Sequence, residues 1–312
     1  MDPSIFKKPY HDLTLLDFQT RFPTEQSCWE YLVKMRWPNA PICPNGCKKN
    51  KMDLIKTRKL FECRVCHAQI SVTAGTIFQK SRVPLRKWFW AIFLIATSKK
   101  GIPMLYLQKQ LGIKTYRAAW LMMHKIRHAM LVRDELYTLH GTVQADEIFI
   151  GGKRSKTGKK ELIHNKTPFL IGVEVGAKEH PRFVTFKELE AIYDEQILSA
   201  IGDRVKKGSK IKSDGSGAYL KLRQRGYSHE PSVYAHDPKK TAEHLKWVNM
   251  LTSNLKRFLL STHHGVFPKY RSAYLAEFAY RFNRRYWPNQ AFDRLLYACI
   301  HTRPARLPEL RA

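Results

Sequence analysis

Negative charge is scarce in this chain. Its 312 residues carry 26 Asp and Glu against 55 Lys and Arg, a formal net charge of +29, and the surplus runs from Lys7 to Arg311 rather than sitting in one tail. An excess so large and so spread is the electrostatic footprint of a protein that binds a polyanion, with nucleic acid the leading partner. A basic membrane-surface protein would share the charge, but no amphipathic, lipid-facing helix accompanies it. Long apolar runs are missing too: nothing approaches the roughly 18 residues of a membrane span. The opening MDPSIFKKPYHDL lacks the apolar region of a secretory signal, so a cytoplasmic location is expected. Cysteine is limited to six residues, too few in a chain of this size for a secreted disulfide scaffold. The 44% of hydrophobic residues suffices for two or three domains with packed cores.

Four of the cysteines are clustered. Three residues separate Cys43 from Cys47, fifteen separate Cys47 from Cys63, and two separate Cys63 from Cys66. Each close pair places two thiolates on one tight knuckle, and the intervening hairpin brings the knuckles together around a tetrahedral zinc, which defines a zinc ribbon. The first knuckle is one residue longer than usual, and Gly46 can supply the positive φ that absorbs it. His67 replacing one thiolate is the variant ligand set. A closed four-thiolate site has no open position, so this zinc is expected to be structural. Lys48, Lys49, Lys51, Lys56, Arg58, Lys59 and Arg64 on the hairpin have the charge to contact phosphates, although a solvated basic face reads the same way. Cys28 and Cys299 read as ordinary core residues.

From Leu85 to about Leu139 the pattern is helical. The stretch LRKWFWAIFLIATSKKG closes at Gly101, a short helix ends near Gly112, and a longer one begins near Thr115 with Ala119, Met123, Ile126 and Met130 at helical spacing. This is a helix-turn-helix-like pattern, and Lys114, Tyr116, Arg117, His124, Lys125 and His128 are its candidates to face DNA; any helical hairpin would share the spacing. A helix around Glu25 to Met35 completes this half.

After Gly141 the pattern alternates as strands do: TVQADEIFIGG, PFLIGVEVG and RFVTFKEL, then a helix near Tyr193 to Ile201 and a short strand ending at Asp214. Three antiparallel strands, a crossover helix and a fourth strand describe a ribonuclease H-like core, in which the first and fourth strands are neighbours. Asp146, within the first strand, and Asp214, at the tip of the fourth, should therefore converge. Paired carboxylates repel unless a cation lies between them. Two Mg²⁺ or Mn²⁺ ions about 3.5–4 Å apart remove that penalty and clamp both oxygens of a phosphodiester displacement. The alternative is that Asp146 pairs with a buried Arg. Glu147, by alternation, points to the opposite sheet face.

A third ligand should come from the later helix EHLKWVNMLTSNLKRFLL. Trp247, Val248, Leu251, Leu255, Phe258 and Leu259 form its apolar stripe, while Asn249 and Lys256, seven residues apart, share another face. Asn249 is a candidate Mg²⁺ ligand, Lys256 a candidate phosphate contact, and Glu243 a competing ligand. Further on, RSAYLAEFAYRFNRRYW is expected to bury Tyr274, Leu275, Phe278 and Phe282 and to leave Arg281, Arg284 and Arg285 for DNA.

These segments, with ISVTAGTIF, SDGSGAY and SNLKRFLLSTHHGVFPKY, resemble the zinc-ribbon class of bacterial insertion-sequence transposases with a ribonuclease H-like, DDE-type catalytic domain, over roughly residues 25 to 290. The resemblance implies Asp146 and Asp214 as the two acids, Asn249 as the third position and Lys256 as the following lysine. The implied organisation is α/β and multidomain: an N-terminal helical segment at 1–40, a zinc ribbon at 41–78, a helical DNA-binding region at 79–139 and a catalytic domain at 140–312. The implied activity is metal-dependent hydrolysis at terminal inverted repeats and strand transfer into target DNA, by a dimer or larger synaptic assembly on a bacterial nucleoid. A catalytically inactive DNA-binding derivative and a structure-specific nuclease are the alternatives.

Overall fold

The computed structural model describes residues 13–47, 51–151, 166–232 and 238–310; Lys48 and Lys49 of the basic hairpin lie outside them. The described residues up to 98, with 104–129 and 287–310, form one compact unit, and residues 99–103 with 130–286 form a second.

The first unit begins with α1 (Leu15–Arg21) and α2 (Glu25–Arg36). Thr14 and Thr24 cap them in capping boxes with Asp17 and Ser27, satisfying first-turn N–H groups. Strands β1 (Met52–Ile55), β2 (Leu60–Cys63) and β3 (Gln69–Ser71) form an antiparallel three-stranded sheet, with Met52 opposite Cys63 and Leu60 opposite Ser71. Helix α3 (Leu85–Thr97) follows Pro84, which has no capping side chain. The cap comes from α2 instead: the Glu25 carboxylate accepts from Leu85 N at 2.7 Å and Arg86 N at 2.9 Å, where the helix dipole favours an anion. Helices α4 (Met104–Gln110) and α5 (Tyr116–Asp134) are joined by a turn with Gly112 at φ 54°.

An aromatic core binds this unit together. Phe18 stacks on Phe93 at 4.3 Å, Phe22 meets Phe89 at 5.0 Å, and both contact Phe292 of the last helix, α10 (Ala291–His301), at 4.9 and 5.3 Å. Edge-to-face contacts of this kind stabilise beyond the burial of their area. Residues 287–310 thus belong to the first unit, whereas the sequence pattern ran the catalytic segment unbroken to 312. The apolar face of α10, Phe292, Leu295, Leu296 and Cys299, is buried there. Amphipathic spacing shows that a helix has a partner without saying which.

The second unit is built on a five-stranded mixed sheet of order β6-β5-β4-β7-β8. Strand β4 (Thr142–Gly151) pairs antiparallel with β5 (Lys166–Val175), which pairs antiparallel with β6 (Pro181–Glu188). After α6 (Asp194–Arg204), β7 (Lys210–Ser213) returns parallel to β4, with Val143 opposite Ile211 and Gln144 opposite Lys212. Strand β8 (Ser228–Pro231), reached through a 3-10 helix at Gly217–Arg225, adds a parallel edge; its sequence SHEP lacks the alternation that marks the other strands. Alternation along β4 splits the core. Val143 and Ala145 pack with Ile197, Ile201, Tyr219 and Leu222 on one face. Ile148 and Ile150 pack on the other with α8 (Lys246–His263) and α9 (Arg271–Asn283), through Val248, Leu251, Leu255 and Leu275. A short helix, α7 (Pro238–His244), precedes α8. Among the described residues no helix is long and apolar enough to cross a membrane.

Candidate active site and metal centre

The four cysteines of the ribbon meet as their spacing predicts. Their sulfurs all lie within 4.8 Å of one another, the separation that four ligands of one metal ion require. Gly46 sits at φ 69° in the first knuckle, absorbing the extra residue there. Backbone N–H groups of Cys47 and Asn45 hold the Cys43 thiol down at about 6, while hydrogen bonds with Cys66 and Cys43 push the Cys47 thiol up to about 12, so without metal one thiolate is shared among neighbouring S–H donors. His67 is turned toward Glu62, 3.5 Å from its carboxylate. Arg64 forks onto Asp53 at 2.5 and 2.6 Å, while Lys51, Lys56 and Arg58 remain exposed. The donor set fits a structural zinc.

In the second unit, β4 carries Asp146 into the middle of the sheet, between buried Ala145 and Ile148 on either side of the Asp146–Glu147 pair. Asp214 follows β7 directly. The parallel register ends at Gln144 opposite Lys212, so two steps further along both strands bring Asp146 and Asp214 level. The chain turns sharply there: Asp214 accepts from Ser216 N at 3.0 Å, and Gly215 holds φ 87°, with a Cβ at that position falling 2.8 Å from Ser232 O. Burial, then the neighbouring charges of Glu147 and Asp214, push the Asp146 carboxyl up to about 7, against a donated bond from Glu147 N at 2.9 Å. Among the described residues no arginine or lysine pairs with Asp146.

Glu147 leaves the other face of β4, as alternation requires, and accepts from the buried Tyr219 hydroxyl. Burial raises its carboxyl and Asp214 adds to the rise, while the Tyr219 bond opposes it. Tyr219 is itself pushed well above the phenol range, first by burial and then by Glu147, Asp146 and Asp214. Three carboxylates and a phenol thus share one neighbourhood. Nothing local in the sequence couples Tyr219 to Glu147, so that partnership was illegible.

Helix α8 buries the expected stripe, with Trp247 partly covered. Asn249 and Lys256 are exposed, and Asn249 Nδ2 donates to Ala242 O at 3.4 Å. Glu243 is exposed as well. The sequence reading missed Gln144, although period-two alternation places it on the Asp146 face. Gln144 is 6% exposed; its amide oxygen accepts from Trp247 N at 2.9 Å and Val248 N at 3.3 Å, and its amide nitrogen donates to His244 O at 3.1 Å.

Four of the expected DNA contacts are engaged inside the protein instead. Lys125 is 7% exposed and donates to Ile77 O at 3.0 Å, because α5 is buried continuously from Met122 to Arg127 rather than presenting a polar face. Arg281 donates to Lys99 O at 3.0 Å and lies over the Phe258 ring, with Glu277 3.7 Å away. Arg284 pairs with Asp134 at 2.7 Å and stacks on Tyr280 at 3.4 Å. Arg285 is half-buried and donates to the carbonyls of Phe282, Arg182 and Pro181. Helix α9 is covered more widely than a single stripe, burying Arg271, Ala276, Glu277, Ala279, Tyr280 and Asn283 as well as Leu275. Lys114 and Arg117 stay exposed, whereas His124 is buried and stacks on Trp120 at 4.0 Å.

Two family models match the chain. A transposase zinc-ribbon domain matches residues 23–69, which contain the four clustered cysteines, and an ISXO2-like transposase domain matches residues 138–283, which contain Asp146, Asp214, Asn249 and Lys256. The chain is also 24% identical over 281 residues to an uncharacterised protein in transposable element ISH50 of Halobacterium salinarum, covering 83% of this chain and 91% of that protein. Those two domains imply DNA binding. The chain belongs to the insertion-sequence transposases that carry a transposase zinc ribbon ahead of an ISXO2-like transposase domain.

Proposed function

We propose that the chain is a DDE-type DNA transposase that binds the terminal inverted repeats of its element, hydrolyses a phosphodiester at the element end, and transfers the resulting 3′-hydroxyl into target DNA. The observation that carries this reading is the meeting of Asp146 from mid-β4 with Asp214 from the end of β7, in a half-buried place where, among the described residues, no cation balances them. A packed sheet gains nothing from such a pair, and a divalent ion offsets its repulsion. Asp146, Asp214 and, as a neutral third donor, Asn249 would hold Mg²⁺ or Mn²⁺. When bound, such ions neutralise the charge that develops on the oxygens of an in-line phosphoryl displacement.

The protein's own groups divide the remaining work. Tyr219 keeps Glu147 on the far face of β4 and out of the donor set. The Asp214–Ser216 turn orients the second acid. Lys256, exposed two turns beyond Asn249, would contact a phosphate flanking the reacting one. The sheet order, with helices on both faces, supports a ribonuclease H-like core for the second unit. In the first, α4 and α5 support a helix-turn-helix, with Lys114 and Arg117 toward DNA and the ribbon lysines on phosphates. Joining two element ends calls for a dimer or larger synaptic assembly.

Strand transfer on an end-containing duplex with Mg²⁺ or Mn²⁺ tests the proposal. Wild type should give joined products, and Asp146→Ala and Asp214→Ala should not. Equal products from all three proteins would discard the catalytic assignment; no product from wild type, with binding intact, would leave a DNA-binding derivative.

A further inference from the structure

We propose that Gln144 is a positioning residue for the metal site, acting through Asn249 by capping the helix that carries it. This rests on the catalytic reading given above and adds a residue to it. Helix α8 starts without a cap of its own: Leu245 stands at its N-cap and makes no side-chain bond. The first N–H groups of a helix need an acceptor, and a buried start without one is strongly disfavoured. Gln144 supplies it from another element. One amide oxygen receives both Trp247 N and Val248 N, and the amide nitrogen returns a bond to His244 O. All three of these partners flank the chain's entry into α8, so the side chain holds the helix from both sides of its first turn.

The placement matters because of what lies next to each end. On the strand, Gln144 is two residues before Asp146 and on the same face of β4. On the helix, Asn249 comes directly after Val248, and its own N–H is the first to bond within the helix, to Leu245 O at 3.0 Å. A single buried side chain therefore sets the separation between the strand that bears the first acid and the turn that bears the third ligand. An alanine there would leave the part-buried Trp247 N–H and the buried Val248 N–H without their acceptor and let the first turn of α8 fray. Asn249 would move relative to Asp146 while Asp214, held by its own turn on β7, would not.

The test is a double-mutant comparison on zinc-loaded full-length protein: wild type, Gln144→Ala, Asn249→Ala and the double variant. Mn²⁺ affinity is measured by titration calorimetry, alongside single-turnover end cleavage on pre-bound DNA. Gln144→Ala should weaken Mn²⁺ binding and slow cleavage roughly ten- to a hundred-fold, as loss of a ligand's supporting bond does, with affinity for the end duplex unchanged. In the Asn249→Ala background the same substitution should change neither by more than about two-fold, since coupled sites are not additive. Equal effects in both backgrounds would show a general loss of stability and overturn the proposal. If the alanine variant does not fold, Gln144→Glu keeps the acceptor for Trp247 and Val248, and Asn249→Ala should then weaken Mn²⁺ binding as much as it does in wild type; disappearance of that effect would overturn the proposal equally. Wild type showing no Asp146-dependent Mn²⁺ site would overturn the catalytic reading itself, an outcome distinct from additivity.

Discussion

Replacing Asp146 with Asn should make the metal-free protein more stable, with a pH dependence that the site geometry sets. Asn is isosteric and keeps the oxygen that accepts from Glu147 N, so the substitution removes charge and little else. The carboxyl stands at about 7 in the folded chain against an ordinary 3.8. A carboxyl raised by folding leaves stability intact below 3.8 and withdraws it progressively as pH climbs from 3.8 to about 7, above which the loss levels off, since the ionised form is favoured in the unfolded chain. The full difference corresponds to roughly 4 kcal/mol at pH 8, falling to roughly 2 kcal/mol at pH 5, with solvent access to the half-buried group making these ceilings. Urea unfolding of the two proteins at both pH values, in magnesium-free buffer without chelator so that the zinc stays in place, measures it. Adding Mg²⁺ should then stabilise wild type, by about 2.7 kcal/mol at a hundred times its dissociation constant, and leave the Asn variant unmoved. An Asn variant less stable than wild type at pH 8, or a gap that does not change with pH, would refute the reasoning that the site is an uncompensated acidic cluster.

Three other outcomes follow from the same structure. Lys114→Ala and Arg117→Ala should each weaken end-DNA binding and flatten the slope of log K against log salt by about one, while Lys125→Met, replacing an ammonium already used on Ile77 O, should leave the slope alone; filter binding across a salt series separates them. Arg284→Ala should destabilise the protein by about 3–5 kcal/mol, because Asp134, whose carboxyl burial already pushes up, loses its ion-pair partner; the urea midpoint reports it. Thiol modification of the ribbon should release one zinc per chain, read by a metallochromic dye, and Cys43→Ser should abolish that release.

The local signals in this sequence were strong where a single segment carries the physics. Knuckle spacing in the ribbon depends only on bonds a few residues long, and the four sulfurs converge accordingly. Alternation put Asp146 and Glu147 on opposite faces of β4, and periodicity along α8 found its buried stripe, because strand and helix geometry convert spacing directly into facing. The pairing of β7 with β4 came from chain topology, which restricts where a crossover strand can return.

Tertiary structure alone decided which charges are free. Lys125, Arg281 and Arg284 look like DNA contacts in a basic chain, yet each is bound within its own unit, since a helix covered on several sides has no face left for solvent. It also decided the partners that span long separations: Tyr219 on Glu147, Gln144 across the start of α8, and α10 against the aromatic core of the first unit. Residue spacing encodes the direction of a side chain relative to its own backbone; the identity of what it meets depends on how separate elements pack, and that information is held by the assembled chain.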